Sequence, residues 1–194
     1  MSQIALNRSE SEEQIISRAA HKKHMEKKTV LWDIALFFTV SILGVLLHIA
    51  GMWFSSIPIL AWIAPINESI WEHLKLLLWP ACLIALLRKV CTGQLQRGLL
   101  TTFAEGILLS MMLTVVGFYT YSGIWGQHSF WADISLFFLS ALILTWYVKN
   151  RADRQKKSSL PGLILILLLA GCFIWFSYDP PEIGIFMDLS QSLQ

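Results

Sequence analysis

Apolar residues fall along this chain in five long blocks, separated by short polar stretches. The blocks are too continuous to be one face of a water-soluble helix. They run from Val30 to about Phe54, from Asn67 to Leu87, from Leu99 to about Thr120, from the His128 and Asp133 region to Val148, and from Leu160 to Phe176. Segments of this kind suit a hydrocarbon core of roughly 30 Å, and in lipid the backbone must satisfy its own hydrogen bonds, so each block predicts a helix. The pattern gives an all-α fold, a polytopic helical membrane protein with about five transmembrane helices. Residues 1–29 form a polar segment, 30–178 the five-helix transmembrane domain and 179–194 a tail outside the membrane.

Prolines punctuate this scheme. Pro58 and Pro65 bracket an apolar connection that cannot be helical throughout, after which Asn67 suits the N-cap of the second helix. Pro80 lies inside that helix, leaves the Leu76 carbonyl without its usual donor and predicts a kink. Gly106 and Gly117 permit close helix contacts in the third block. Tyr119 to His128 reads as a glycine-containing aromatic turn, and the Pro180-Pro181 pair starts a tail expected to lie back across the outer face.

Composition sharpens the class. Of 194 residues, 55% are hydrophobic and only 14% charged, and the mean hydropathy is +0.57, outside the range of soluble domains. Cys82, Cys91 and Cys172 are odd in number and two lie in apolar blocks, so they read as small buried hydrophobes rather than a disulfide framework. About thirty residues precede the first block with no clean small-x-small cleavage pattern, which predicts an uncleaved signal anchor. In that segment Ser9 and Glu12 have capping-box spacing. Lys22, Lys23, Lys27 and Lys28 suit an amphipathic helix against anionic lipid, while His21 and His24 lack a third metal ligand nearby. No phosphate loop, C-x-x-C pair or H-E-x-x-H motif is present, and basic residues are not interleaved with aromatics, which argues against a nucleic-acid partner.

Charge placement sets an orientation. Fourteen of the 15 Lys and Arg lie in the N-terminal segment, the Arg88–Arg97 loop and the Lys149–Lys157 loop, all on one side of a five-span chain. By the positive-inside rule the N-terminus is cytoplasmic and the C-terminus outside. Six acids, Glu68, Glu72, Asp133, Asp179, Glu182 and Asp188, then share the outer face with His48, His73, His128 and one lysine, Lys75.

The densest chemistry is Asn67-Glu68-Ser69-Ile70-Trp71-Glu72-His73-Leu74-Lys75. On a 3.6-residue period Glu68, Glu72 and Lys75 share a face with Trp71 beside them, while His73 points about 100° from Glu72. A helix N-terminus that favours acids accounts for Glu68 but not for Lys75, which lies about 12 Å into the helix and needs a partner. Glu105, about two turns into the third span, is a second intramembrane acid, protonated or paired with an arginine of the adjacent loop. Trp125, Trp131, Tyr119 and Tyr121 suit an interfacial aromatic belt.

On the N-E-S-x-W-E-H signature the chain resembles a family of small prokaryotic integral membrane proteins of unknown function. The likeness extends to His48, Pro80, Tyr119 to Gly123, Asp133 and the Pro-Pro tail; the long charged N-terminus and the end after Asp188 depart from it. The resemblance implies a multi-pass protein of a prokaryotic plasma membrane and carries no activity.

Three functions stay open. The first is a hydrolase or transferase on a lipid-linked or amphipathic substrate, with Glu68, Glu72, His73 and Lys75 as the catalytic set and His48, Glu68, Glu72 and Asp133 as ligands for a divalent metal. In that reading Asn67, Trp71, Tyr121 and His128 line the site. The second is a non-catalytic subunit, immunity or binding protein whose outer face meets a membrane-protein partner. The third is an ion-coupled transporter, for which five spans would require a homo-oligomer.

Overall fold

The structure, a computed structural model, describes residues 30–54, 57–92, 98–151 and 158–189 and the single residue 17. The capping-box pair Ser9 and Glu12, the N-terminal lysines and histidines, Arg97, the basic residues Arg154, Lys156 and Lys157 and the last five residues lie outside the described residues.

Five helices and no strands occur among the described residues. They are α1 (Val30–Phe54), α2 (Ile70–Thr92), α3 (Leu99–Trp125), α4 (Phe130–Arg151) and α5 (Leu160–Tyr178). A 3-10 turn at Pro58–Trp62 occupies the proline-bracketed connection, and another spans Gly184–Phe186 in the tail. Four helices, α1, α3, α4 and α5, are long and apolar enough to cross a membrane. α2 differs in character, because it carries Glu72, Lys75, Arg88 and Lys89 among its leucines.

α3 is the hub, lying against α2, α4 and α5. Its contact with α4 is close, as a Cβ on Gly117 would come within 2.6 Å of Leu136. Thr114 Oγ1 and Ser140 Oγ hydrogen-bond across the same seam at 2.8 Å, a polar link of the kind that joins helices in lipid. The core gathers Leu36 and Val40 of α1, Leu74, Leu77, Leu78 and Ala81 of α2, Phe103 and Ile107 of α3, Leu144 of α4 and Phe173 of α5.

The outside of the bundle is as apolar as the core. On α1 the exposed positions Leu31, Ile34, Phe38, Ile42, Val45, Ile49 and Met52 follow a helical period, while Asp33, Leu36, Val40 and Ser41 are buried. An apolar exterior, with the polar Asp33 and Ser41 turned inward beside Leu36 and Val40, is the arrangement expected of a helix in a lipid solvent. α2 follows it most fully: Glu72, Lys75 and Arg88 are all buried within the bundle.

Pro80 sits inside α2 as the sequence requires. The Leu76 carbonyl that it deprives of a donor faces α1, where a Cβ on Gly44 would stand 3.3 Å from its oxygen. The glycine lets one helix close over the bare carbonyl of the next.

Two boundaries differ from the sequence reading. α3 continues through the expected aromatic turn to Trp125, and the chain reverses at Gly126 with φ 73. Tyr119 to Ile124 can extend the helix, whereas Gly126 supplies the left-handed conformation that ends it. α2 begins at Ile70 rather than near Asn67, because Ser69 and not Asn67 caps it: Glu72 N–H donates to Ser69 Oγ at 3.3 Å. Asn67 Oδ1 instead accepts the Ser69 N–H at 3.0 Å, closing an Asx turn just before the helix.

Candidate functional site

The shift of the cap from Asn67 to Ser69 decides the geometry of the site. Glu68 lies ahead of the helix, in the segment leading into it, and so leaves the face of Glu72 and Lys75 on which simple periodicity placed it. Two separate clusters result.

The first is a closed clamp. Lys75, fully buried, donates to Glu72 Oε2 at 2.5 Å, to the Ala61 carbonyl at 2.7 Å and to Ser177 Oγ of α5 at 2.6 Å. Three partners match the three donors of an ammonium. Glu72 in turn accepts from Ser177 Oγ at 2.8 Å and from the Ile66 N–H at 3.0 Å. The clamp therefore ties the 3-10 turn, the segment before α2, the first turns of α2 and the end of α5 into one unit. Around it, Trp71 packs on Phe173, Phe176 and Phe186 with ring centroids 4.6, 5.6 and 4.8 Å away, so the tail folds back onto the start of α2. Tyr178 OH donates to the Pro58 carbonyl at 2.8 Å and accepts from Trp62 Nε1 at 2.9 Å, fastening the same joint from outside.

The second cluster is open. His48 comes from the last turns of α1, Glu68 from the segment before α2 and His73 from the first turn of α2. One ligating atom from each lies within 4.8 Å of the other two. His73 Nε2 is 3.4 Å from Glu68 Oε2, and the His48 and His73 ring centroids are 5.0 Å apart. His73 Nδ1 lies 2.8 Å from the Ser69 carbonyl. A carbonyl can only accept, so Nδ1 carries a proton and Nε2 is the nitrogen turned to Glu68. His48 Nδ1 is buried without a hydrogen-bond partner. His73 beside it holds the Glu68 carboxyl below the usual carboxylate range, against the opposing effects of burial and of Asp188.

α1 reaches this site because a glycine permits it: a Cβ on Gly51 would stand 2.0 Å from the Pro65 carbonyl oxygen. A cleft of about 80 Å³ lies at the junction, lined by His48, Gly51, Met52, Pro65, Asn67 and Glu68. At about 30 Å³ per water it has room for two or three solvent molecules.

Further acids surround the open cluster. Asp133 of α4 is within electrostatic reach of His73, and Asp188 of the tail within reach of Glu68. Asp133 accepts a hydrogen bond from Tyr121 OH, and His128 Nδ1 is 3.5 Å from its other oxygen. Tyr121 OH also accepts the Ser129 N–H at 3.4 Å, so this group braces the α3–α4 turn beside the cluster. Glu105 lies apart, accepting from Tyr147 OH of α4 at 2.8 Å.

The residues singled out in the sequence thus divide. His48, Glu68 and His73 converge, with Asn67 at the cleft and Asp133 nearby; Glu72 and Lys75 turn inward with Trp71; Tyr121 hydrogen-bonds Asp133, and His128 lies beside it. Sequence reasoning missed Ser69 and Ser177. Ser69 had a signal, since Ser69-x-x-Glu72 is a capping-box spacing before an apolar run. Ser177 had none, being 102 positions from the lysine it meets.

The profile of a family described as a family of unknown function, DUF6512, matches residues 19–192, and the chain belongs to that family. Neither a curated protein nor a solved structure matches the chain.

Proposed function

From membership in a family without an assigned activity, we propose that this chain is a multi-pass membrane protein that hydrolyses or transfers a group of a lipid-linked or amphipathic substrate at the outer membrane face. The N-terminus lies inside, as the distribution of lysine and arginine favours, and α2 crosses the membrane with its charges turned into the bundle. One observation carries the reading: residues from α1, from the segment before α2 and from α2 bring two imidazoles and a carboxylate within 4.8 Å at one end of an apolar bundle. A helix start explains an acid, and an interface explains a histidine, but neither explains three such groups drawn together from two helices and a loop.

The cleft beside them has room for water but not for a whole substrate, because small-molecule sites generally run to ~300 Å³ or more. The substrate therefore lies over the cleft, with its apolar part in the bilayer and its polar part at Glu68 and His73. Glu72 and Lys75 act in this scheme as the clamp that fixes the first turn of α2.

The experiment is turnover by the full chain in lipid nanodiscs, using amphiphiles with ester, amide and phosphodiester bonds and a fluorogenic leaving group. Wild type is expected to turn over one class at least tenfold faster than Glu68→Gln and His73→Gln, with both variants folded. Equal rates in all three proteins, or none in any, would leave the cluster without catalysis and turn the reading to a non-catalytic binding protein.

A further inference from the structure

We propose that His48, Glu68 and His73 form the protein ligands of a divalent transition-metal ion of the zinc class, with a fourth position open to the cleft. This rests on reading that end of the bundle as a functional site, and it names the ion the site would use.

The ligand geometry is close to assembled. A tetrahedral ion with bonds of about 2.1 Å separates its ligand atoms by roughly 3.4 Å, and His73 Nε2 already stands 3.4 Å from Glu68 Oε2. The remaining separations, up to 4.8 Å, close by side-chain rotation of His48, whose residue is only half-buried. His73 is also set in the manner of a ligand. Its Nδ1–H is held by the Ser69 carbonyl, the backbone anchor that commonly fixes the tautomer of a metal-bound histidine and presents Nε2.

Charge points the same way. With Nδ1 protonated, a neutral His73 would aim the lone pair of Nε2 at a carboxylate, so a positive species belongs between them: a second proton or a metal ion. The Nδ1 of His48 is buried without a hydrogen-bond partner, so a second imidazole at the same site has a position left to fill. Asp133 and Asp188 add negative potential around the site. Two imidazole nitrogens disfavour calcium and magnesium, which take oxygen ligands, and favour zinc and its neighbours. Three protein ligands with one place left for water is the arrangement of catalytic rather than structural zinc sites.

The set differs from the one that spacing alone suggested. Glu72 is engaged with Lys75, Ser177 and the Ile66 N–H, while His73, pointed away from Glu72 by the helix, meets Glu68 because Glu68 precedes the cap.

Cobalt(II) is the probe, titrated into the purified, chelator-stripped full chain in detergent and followed by visible absorption. Saturation at one ion per chain is expected, with the strong bands of four-coordinate cobalt, and zinc should remove them. His73→Gln and Glu68→Gln should each weaken binding at least tenfold, whereas Asp179→Asn and Glu182→Gln, tail acids outside the cluster, should bind as wild type. Thermal unfolding of each metal-free variant establishes that it is folded. Should His73→Gln fail to fold, His48→Gln takes its place. Weak six-coordinate bands, no saturation, or equal binding by wild type and folded cluster variants would overturn the metal site. Loss of the metal site with turnover still dependent on Glu68 leaves the hydrolase standing; stoichiometric cobalt without turnover of any substrate removes the hydrolase and leaves the metal.

Discussion

Glu68 and Glu72 are one helical turn apart in sequence, yet they belong to two regions with opposite chemistry. Around Glu72 both charges are answered: Lys75 has three acceptors, the carboxylate has a cation, a hydroxyl and an amide, and the glutamate is 2% and the lysine 0% exposed. Around Glu68 the carboxylate meets one imidazole at 3.4 Å, the Nδ1 of the other imidazole lies buried without a hydrogen-bond partner and the glutamate side chain is 40% exposed. The same residue type serves first as an open acid beside water and then as a component of the bundle. A saturated polar network holds its neighbours in place, while an unsaturated one beside a cleft has capacity left for a ligand.

The largest effect should come from breaking the clamp. Lys75→Met leaves Glu72 charged and buried, and removing one partner of a buried pair costs about 3–5 kcal/mol. Folded yield and unfolding temperature in detergent should fall sharply for Lys75→Met and for Glu72→Gln. The double variant should recover part of the loss, as groups in direct contact couple. If instead either single variant keeps wild-type stability but loses turnover, the clamp is part of the chemistry and the contrast between the regions collapses.

An intermediate effect is expected at the joint that both regions share. In Gly51→Ala the new methyl meets the Pro65 carbonyl, where a Cβ would be 2.0 Å from oxygen, so α1 or the segment carrying Glu68 must move. Overpacking of this kind costs about 1–3 kcal/mol. Cobalt binding should weaken as well, because His48 and Glu68 stand on opposite sides of that contact. His73→Gln offers the sharper comparison: it should weaken metal binding at least tenfold with little loss of stability, since the clamp is intact. A Gly51→Ala protein with unchanged cobalt affinity would show that the open site tolerates movement of α1.

Much of this was legible in the chain. Hydropathy marked the helices, Pro80 marked the bare Leu76 carbonyl, and the depth of Lys75 demanded a partner. The division into two sites was not legible, because it turns on which of two good capping residues, Asn67 or Ser69, starts α2. Moving the start by two residues takes Glu68 out of the helix and makes face assignments by period meaningless for it. Nor could periodicity find Ser177, since pairings between helices depend on how the bundle closes and not on spacing within a segment. The reach of α3 past Gly123 was open for a related reason: a glycine inside an apolar run ends a helix only when it takes up a positive φ, and here Gly126 does so.

The smallest predicted effect concerns pH and tests whether Glu68 is bound to its neighbours by charge. Its carboxyl is held below the usual range in the folded protein, chiefly by hydrogen bonding to His73. A carboxyl with a depressed folded pKa contributes stability that is fully present above its unfolded value, about 4.3, and is lost as pH falls through the folded value. In metal-free protein the unfolding temperature of wild type should therefore exceed that of Glu68→Gln at pH 6. The gap should narrow below about pH 4.3 as Glu68 is protonated in both states. With the side chain 40% exposed, solvent screens the interaction and the gap should be small beside that of the clamp variants. A difference that stays constant down to acid pH would assign the contribution of Glu68 to packing of the segment before α2, and would remove the charge argument that sets the open region apart from the closed one.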